Sequence, residues 1–313
     1  MRLGIWRGRW LTGRVVVHHV RFWPTMPGAG AWRYGLYLPP GLRDDEAAPL
    51  VVLLHGCRQR ALGFAYAAGW TRAADLERFR LLCPEQRRLA NLWRCWNWFH
   101  PLAQAGQGEL QVIDRVLEEV AARVRIDPGR IAAVGFSAGG ALAALLAFHR
   151  AARFAAAATV AAPPLTGRFS LRDPRDVIRR GLLTDPRLAL GARTEACAPL
   201  LIAHGDADQI VTPRCAEQLL AQALECWRRS GAALQTATTD MPDAIGCGAD
   251  YRHGGQLILR HICLRGAGHS WTGGPGGHPF CERGGPPLTT IVLRYLRDLG
   301  LLTSRQRRAL TSL

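Results

Sequence analysis

Three side chains that could together move a proton and an acyl group stand far apart in this 313-residue chain. Ser137 lies in Gly135-Phe136-Ser137-Ala138-Gly139, a G-x-S-x-G run. A serine hydroxyl is a weak nucleophile until a neighbouring base takes its proton. A histidine can be that base when a carboxylate holds its ring. His269 follows Gly266-Ala267-Gly268, a flexible approach that can carry an imidazole over the serine. Asp206 and Asp208 both follow His204-Gly205. The order serine, acid, histidine suits acyl transfer through a covalent serine intermediate.

Of the two aspartates, Asp208 fits the acid role better. A loop leaving through His204-Gly205 needs some length before a side chain turns back, and Ile210-Val211-Thr212-Pro213 then leads into a helix. Asp206 suits backbone hydrogen bonding within the turn. Among the histidines, His278 in the next loop is the rival to His269. His261 sits inside an apolar run and His253 at its entrance, while His18, His19, His100 and His149 lack a matching context. A developing alkoxide also needs two N–H donors. Ala138, directly after the serine, offers one. The other is assigned to Cys57, in the His55-Gly56-Cys57 loop.

The elements that must position these groups can be read around them. Ile131–Val134 is a short apolar run before Ser137, and Ala141–Ala147 follows it, so the motif reads as strand, sharp turn, buried helix. Leu50–Leu54 and Leu200–Ala203 are further apolar runs of the kind buried on both faces of a parallel sheet. Arg14–Arg21 and Trp32–Leu38 read as an antiparallel edge around the turn-rich Pro24–Gly30. Phe154–Val160 and Leu257–Leu264 read as strands. Helices are expected over Gly63–Arg80, Glu109–Arg123, Asp176–Leu183, Pro213–Ser230 and Leu288–Leu299. Alternating strands and helices predict an α/β fold with a mainly parallel twisted sheet and helices on both faces. One domain over 1–313 is expected, with an insertion or lid over 161–194 and a basic tail over 300–313.

The net charge is +16, with an abundance of alanine and no lysine, so every basic residue is arginine. The arginines are scattered, which argues for coding bias over specific nucleic-acid binding. No apolar run is long enough to span a bilayer. Met1–Trp10 reads as no export signal, which predicts a cytoplasmic location. The nine cysteines include no C-x-x-C pair, and nothing requires a metal or organic cofactor. The sequence sets no oligomeric state.

Several motifs resemble the polyhydroxybutyrate (PHB) depolymerase-like esterases of the α/β-hydrolase superfamily. They are Leu54-His55-Gly56-Cys57 with Gln59, Pro84-Glu85-Gln86, Cys95-Trp96-Asn97-Trp98-Phe99, Ile126-Asp127-Pro128, the serine motif, His204–Asp208 and Gly268-His269-Ser270-Trp271. The resemblance spans roughly Leu36–Leu299. It implies a serine carboxylic-ester hydrolase with Ser137, Asp208 and His269 as triad. It also implies an oxyanion N–H from Cys57 and a Cys57–Cys95 disulfide. Trp96, Trp98, Phe99 and Trp271 are expected to line an acyl pocket. The implied partner is a small or oligomeric ester: short-chain, hydroxyalkanoate-oligomer or aromatic. The resemblance points to an extracellular location as the alternative to the cytoplasm. A peptidase or acyltransferase on the same fold is the enzymatic alternative, and a basic non-catalytic binder the non-enzymatic one.

Overall fold

The structure is a computed structural model and describes residues 12–22, 30–167 and 173–303. The expectations for 1–10, for the turn at 24–29 and for the tail at 304–313 fall outside the described residues. Along the chain come β1 (Arg14–Phe22), β2 (Gly30–Leu38), β3 (Ala48–Leu54), α1 (Ala61–Ala67), α2 (Trp70–Glu77) and β4 (Arg80–Glu85). The short α3 (Pro101–Gln104), α4 (Glu109–Ala121), β5 (Ile126–Phe136), α5 (Ala138–His149) and β6 (Ala156–Val160) follow. Then come α6 (Pro174–Arg180), a 3-10 turn at Pro186–Leu190, β7 (Leu200–Gly205) and α7 (Arg214–Arg229). The last elements are β8 (Gln235–Thr238), β9 (Gly246–His253), β10 (Gln256–Leu264) and α8 (Leu288–Asp298).

Among the described residues these strands form a 10-stranded sheet in the order β1-β2-β4-β3-β5-β6-β7-β10-β9-β8. The centre, from β4 to β10, is parallel. Both flanks are antiparallel. Every residue of β3 is buried, and its side chains alternate between two cores. Leu50, Val52 and Leu54 face α4, α5 and α7, whereas Val51 and Leu53 face α1, α2 and α8. That is the α/β arrangement expected from the run of strands and helices, and the α/β-hydrolase fold that the resemblance implies. Among the described residues no helix is long and apolar enough to cross a membrane.

The junction of β5 and α5 is the tightest part of the core. Residues 138–148 of α5 are all buried, and its many alanines and glycines let it lie close on the sheet. A Cβ at Gly135 would stand 2.1 Å from Gly139 O, and one at Gly139 would stand 2.3 Å from Leu54 O. Glycine is needed at both places because backbone fills the space. Ser137 between them has φ 55° and ψ −121°, a left-handed conformation that a side chain rarely adopts.

Some expectations shift in detail. The helix expected over Gly63–Arg80 is two helices, broken at Gly69 with φ 80°. The turn at Asp127–Arg130 lies inside β5 as an irregularity of register, with Asp127 Oδ1 accepting from Gly129 N. The helix expected at Asp176–Leu183 starts earlier: Pro174 opens it, the Asp173 side chain caps it, and Gly181 at φ 72° stops it. β8 and β9 were not anticipated, because β8 is exposed throughout and carries no apolar alternation.

Substituting Gly139→Ala should destabilise the protein by about 3 kcal/mol or more, since the added methyl meets main chain that cannot repack. Denaturant unfolding checks this, and an unmoved midpoint would contradict the packing described.

Candidate active site

The parallel strands all present their C-terminal ends to one rim. Ser137 follows β5, Asp208 follows β7 and His269 follows β10. There the structure brings the three together. His269 Nε2 lies 3.0 Å from Ser137 Oγ, and His269 Nδ1 lies 2.7 Å from Asp208 Oδ2. With Nδ1–H donating to the carboxylate, Nε2 is left to accept the serine proton.

Two loops must meet for this to happen. Asp206 N donates to Leu264 O and Ala207 N to Ala267 O. Gly205 permits the approach, since a Cβ there would lie 2.0 Å from Ala267 O. Asp206 does bond backbone, but in the opposite loop: its Oδ1 accepts from Gly266 N at 2.7 Å. It thus joins the acid loop to the histidine loop while staying outside the triad. Asp208 is fixed by its other oxygen, which accepts from Ile210 N and Val211 N, each at 2.9 Å. His204 Nε2 donates to Val211 O and lies 3.2 Å from Asp208 Oδ2. Burial pushes the Asp208 carboxyl up. The hydrogen bonds from His204 and His269, the His269 charge and the Val211 N–H outweigh burial and hold it well below the usual carboxylate range.

The two residues expected to supply oxyanion amides line the same cleft. Ala138 is the first residue of α5, so its N–H has no acceptor within the helix and stands at the positive end of the helix dipole. Around Cys57 the neighbouring amides are committed: Gly56 N to Gln59 Oε1, Arg58 N to Trp93 O and Gln59 N to Gly56 O. Cys57 and Ala138 line the same cleft as Ser137 and His269. His55 stays beneath. Its Nδ1–H donates to Gly56 O, its Nε2 accepts from Gln86 N, and burial lowers its pKa to about 4, so it is neutral.

The loop of residues 91–99 forms one wall. A disulfide joins Cys57 to Cys95. Glu109 holds the loop from below, accepting from Asn97 N at 2.8 Å, from Asn97 Nδ2 at 2.9 Å and from Gln86 Nε2. Burial pushes this carboxyl up to about 7 against those donors. Glu109 escaped the sequence reading because it looked like the first-turn acid of an amphipathic helix.

The cleft has a volume of about 830 Å³ and is mainly apolar. Of the four aromatics expected to line it, Trp98 and Phe99 do, packed edge to face at 5.7 Å. Trp96 and Trp271 do not, and that expectation is corrected. Trp96 is fully buried, stacks on Trp32 and donates its N–H to His55 O. Trp271 is fully buried against Phe64 and Trp70 and donates to Thr289 Oγ1. Their indole N–H groups are consumed in holding the loops. Trp93, Ile178, Ile210, Val211 and Phe280 complete the wall and were missed. Only Trp93 carried a signal, as an aromatic in the unusual loop. The described part of residues 161–194 contributes Pro163, Pro174, Arg175, Ile178 and Arg179 to the cleft. The rival His278 packs against Gly63 in a separate cavity with Val15 and Val17.

Because the folded Asp208 carboxyl titrates below its unfolded value near 3.9, it contributes stability that is full above that pH and is lost as pH falls through the folded pKa. Asp208→Asn should remove that part of the acid limb. Stability measured against pH by denaturant unfolding checks it, and an identical acid limb would contradict it. Loss of the disulfide in Cys57→Ser with Cys95→Ser should cost roughly 2–4 kcal/mol. An unchanged unfolding midpoint in the same measurement would count against that role.

Comparison with known proteins places the chain in a family. The family model described as esterase PHB depolymerase matches residues 32–238. Poly(3-hydroxyalkanoate) depolymerase C of Paucimonas lemoignei is 32% identical over 185 residues, 56% of this chain and 44% of that protein. Feruloyl esterase B of Neurospora crassa is 28% identical over 200 residues, 59% of this chain and 67% of that protein. This chain therefore matches less than half the length of the depolymerase. Among solved structures, the acetyl xylan esterase from Aspergillus awamori superposes with a TM-score of 0.68 at 15% identity, covering 91% of this chain and 99% of that one. An S-formylglutathione hydrolase from Agrobacterium tumefaciens does so with a TM-score of 0.58 at 17% identity, covering 87% and 93%. Both likenesses concern the fold. The match of the family model across the serine motif, the disulfide loop and the acid loop makes this chain a member of the esterase PHB depolymerase family.

Proposed function

We propose that this protein is a serine carboxylic-ester hydrolase that works through a covalent acyl-enzyme. The observation that carries the reading is the continuous link from Ser137 Oγ through His269 to Asp208 at the mouth of an apolar cleft. Ser137 attacks the ester carbonyl while His269 Nε2 takes the hydroxyl proton. The imidazolium formed is stabilised by Asp208, whose second oxygen is tied to two amides and so cannot turn away. The carbonyl oxygen becomes an alkoxide facing the N–H groups of Ala138 and Cys57. Each such donor is worth about 10²–10³ in rate. His269 then returns its proton to the leaving alcohol. A water attacks the acyl-enzyme with the same histidine as base, freeing the acid and Ser137.

Short-chain, hydroxyalkanoate-oligomer and aromatic esters are the proposed substrates. Trp98 and Phe99 offer flat apolar surface near the serine, and ligand sites of this kind are mostly apolar with few polar groups. The names of the relatives, a poly(3-hydroxyalkanoate) depolymerase and a feruloyl esterase, support the same range. The disulfide supports an oxidising, extracellular location over the cytoplasmic one.

Ser137→Ala should lower kcat toward 4-nitrophenyl acetate by about 10⁴-fold or more while leaving the unfolding midpoint nearly unchanged. Retention of full activity would overturn the mechanism.

A further inference from the structure

The charged groups of the cleft are unbalanced. Its charged lining residues are Arg58, Arg175 and Arg179, and among the described residues no aspartate or glutamate lines it. In most of the protein the arginines stand against carboxylates or main-chain oxygens, as Arg150 does with Asp114 and Arg260 with Asp250. Here they do not. Arg179 makes no ion pair among the described residues, and Arg175 has only a loose contact at 3.7 Å with the half-exposed Asp173. Arg58 lies over the Trp93 ring, 5.3 Å from its centroid.

The backbone sets where these side chains start. Arg175 and Arg179 are four residues apart on α6, so they share one face, and like charges at that spacing repel. Pro174 and Ile178 line the cleft beside them. The remaining face carries Asp173, Asp176, Val177 and Arg180 around a different cavity. The helix thus turns two of its three arginines toward the cleft and Asp176 away from it. Arg58 adds strain: its φ is 63°, a conformation that glycine would take freely. It follows Cys57 directly, so the guanidinium is carried on the same turn as the proposed oxyanion donor.

We propose that the cleft selects esters that carry a carboxylate, such as the half-esters of dicarboxylic acids, and that Arg175 and Arg179, with Arg58 opposite, receive that carboxylate while the apolar wall receives the chain between it and the scissile bond. The proposal rests on the ester-hydrolase reading and adds its substrate class. A guanidinium fits a carboxylate through two parallel N–H donors, and it attracts one more strongly beside an apolar wall than in open water. These residues are specificity-determining and take no part in bond making.

The test compares 4-nitrophenyl hexanoate with mono-4-nitrophenyl adipate, which differ in a terminal methyl against a carboxylate. The full chain should favour the adipate in kcat/KM, and raised ionic strength should shrink the preference. Arg175→Gln with Arg179→Gln should reduce the adipate-to-hexanoate ratio at least about 10-fold, with the loss in KM for the adipate, as expected when one charge-assisted pair is removed. Arg180→Gln, on the other face of the helix, should leave the ratio unchanged. A preference for the hexanoate, or a ratio indifferent to both salt and the double substitution, would overturn the proposal. If hexanoate turnover still depends on Ser137, the ester-hydrolase reading survives that failure; if neither ester is turned over, both fall.

Discussion

Backbone packed against backbone, where a methyl group has no room, is the constraint on which this site depends. At Gly135 and Gly139 it lets α5 begin directly beneath a serine held at a positive φ. At Gly205 it lets the loop after β7 touch the loop after β10, which brings Asp208 and His269 together. The strain at Ser137 is of order 1–3 kcal/mol for such a conformation. It is offset by a fully buried helix on one side and a parallel strand on each flank. The serine hydroxyl is therefore already aimed, and little rearrangement is needed before attack.

Around that centre, polar groups that look functional are mostly structural. His55, Gln59 and Gln86 spend most of their hydrogen bonds on main chain, joining the loops after β3 and β4 to the 91–99 loop and to Pro279. Glu109 and the Cys57–Cys95 disulfide close the same network from two directions. A loop proposed to supply an oxyanion N–H has to be held within a fraction of an ångström of its place, and redundancy of this kind serves that end. The cost is a buried carboxyl and a buried neutral imidazole, both shifted by desolvation.

Much of this was legible in the sequence because local chemistry and global fold demand the same residues. Continuous apolar runs marked β3, β5 and β7, and the glycine spacing around Ser137 marked the elbow. The order of Ser137, Asp208 and His269 fixed which strand ends had to converge. What could not be read were facts of direction. The Cys95–Phe99 motif shows four aromatic or amide side chains in a row, but nothing in one dimension says that Trp96 turns inward to His55 while Trp98 turns outward to the cleft. Trp271 follows the same logic, spent on Thr289 in the packing of α8. Ile178 and Phe280 reach the site only through tertiary folding, and β8 lacks the alternation that would have announced it.

The central claim is that Ser137, the amides of Ala138 and Cys57, and His269 form one preorganised centre. A crystal structure of the protein inactivated by a fluorophosphonate tests it most directly, because the adduct mimics the tetrahedral intermediate. The account predicts phosphorus bonded to Ser137 Oγ, with one phosphoryl oxygen within about 3.1 Å of both amide nitrogens. An adduct on another residue, or a phosphoryl oxygen turned away from both amides, would contradict it.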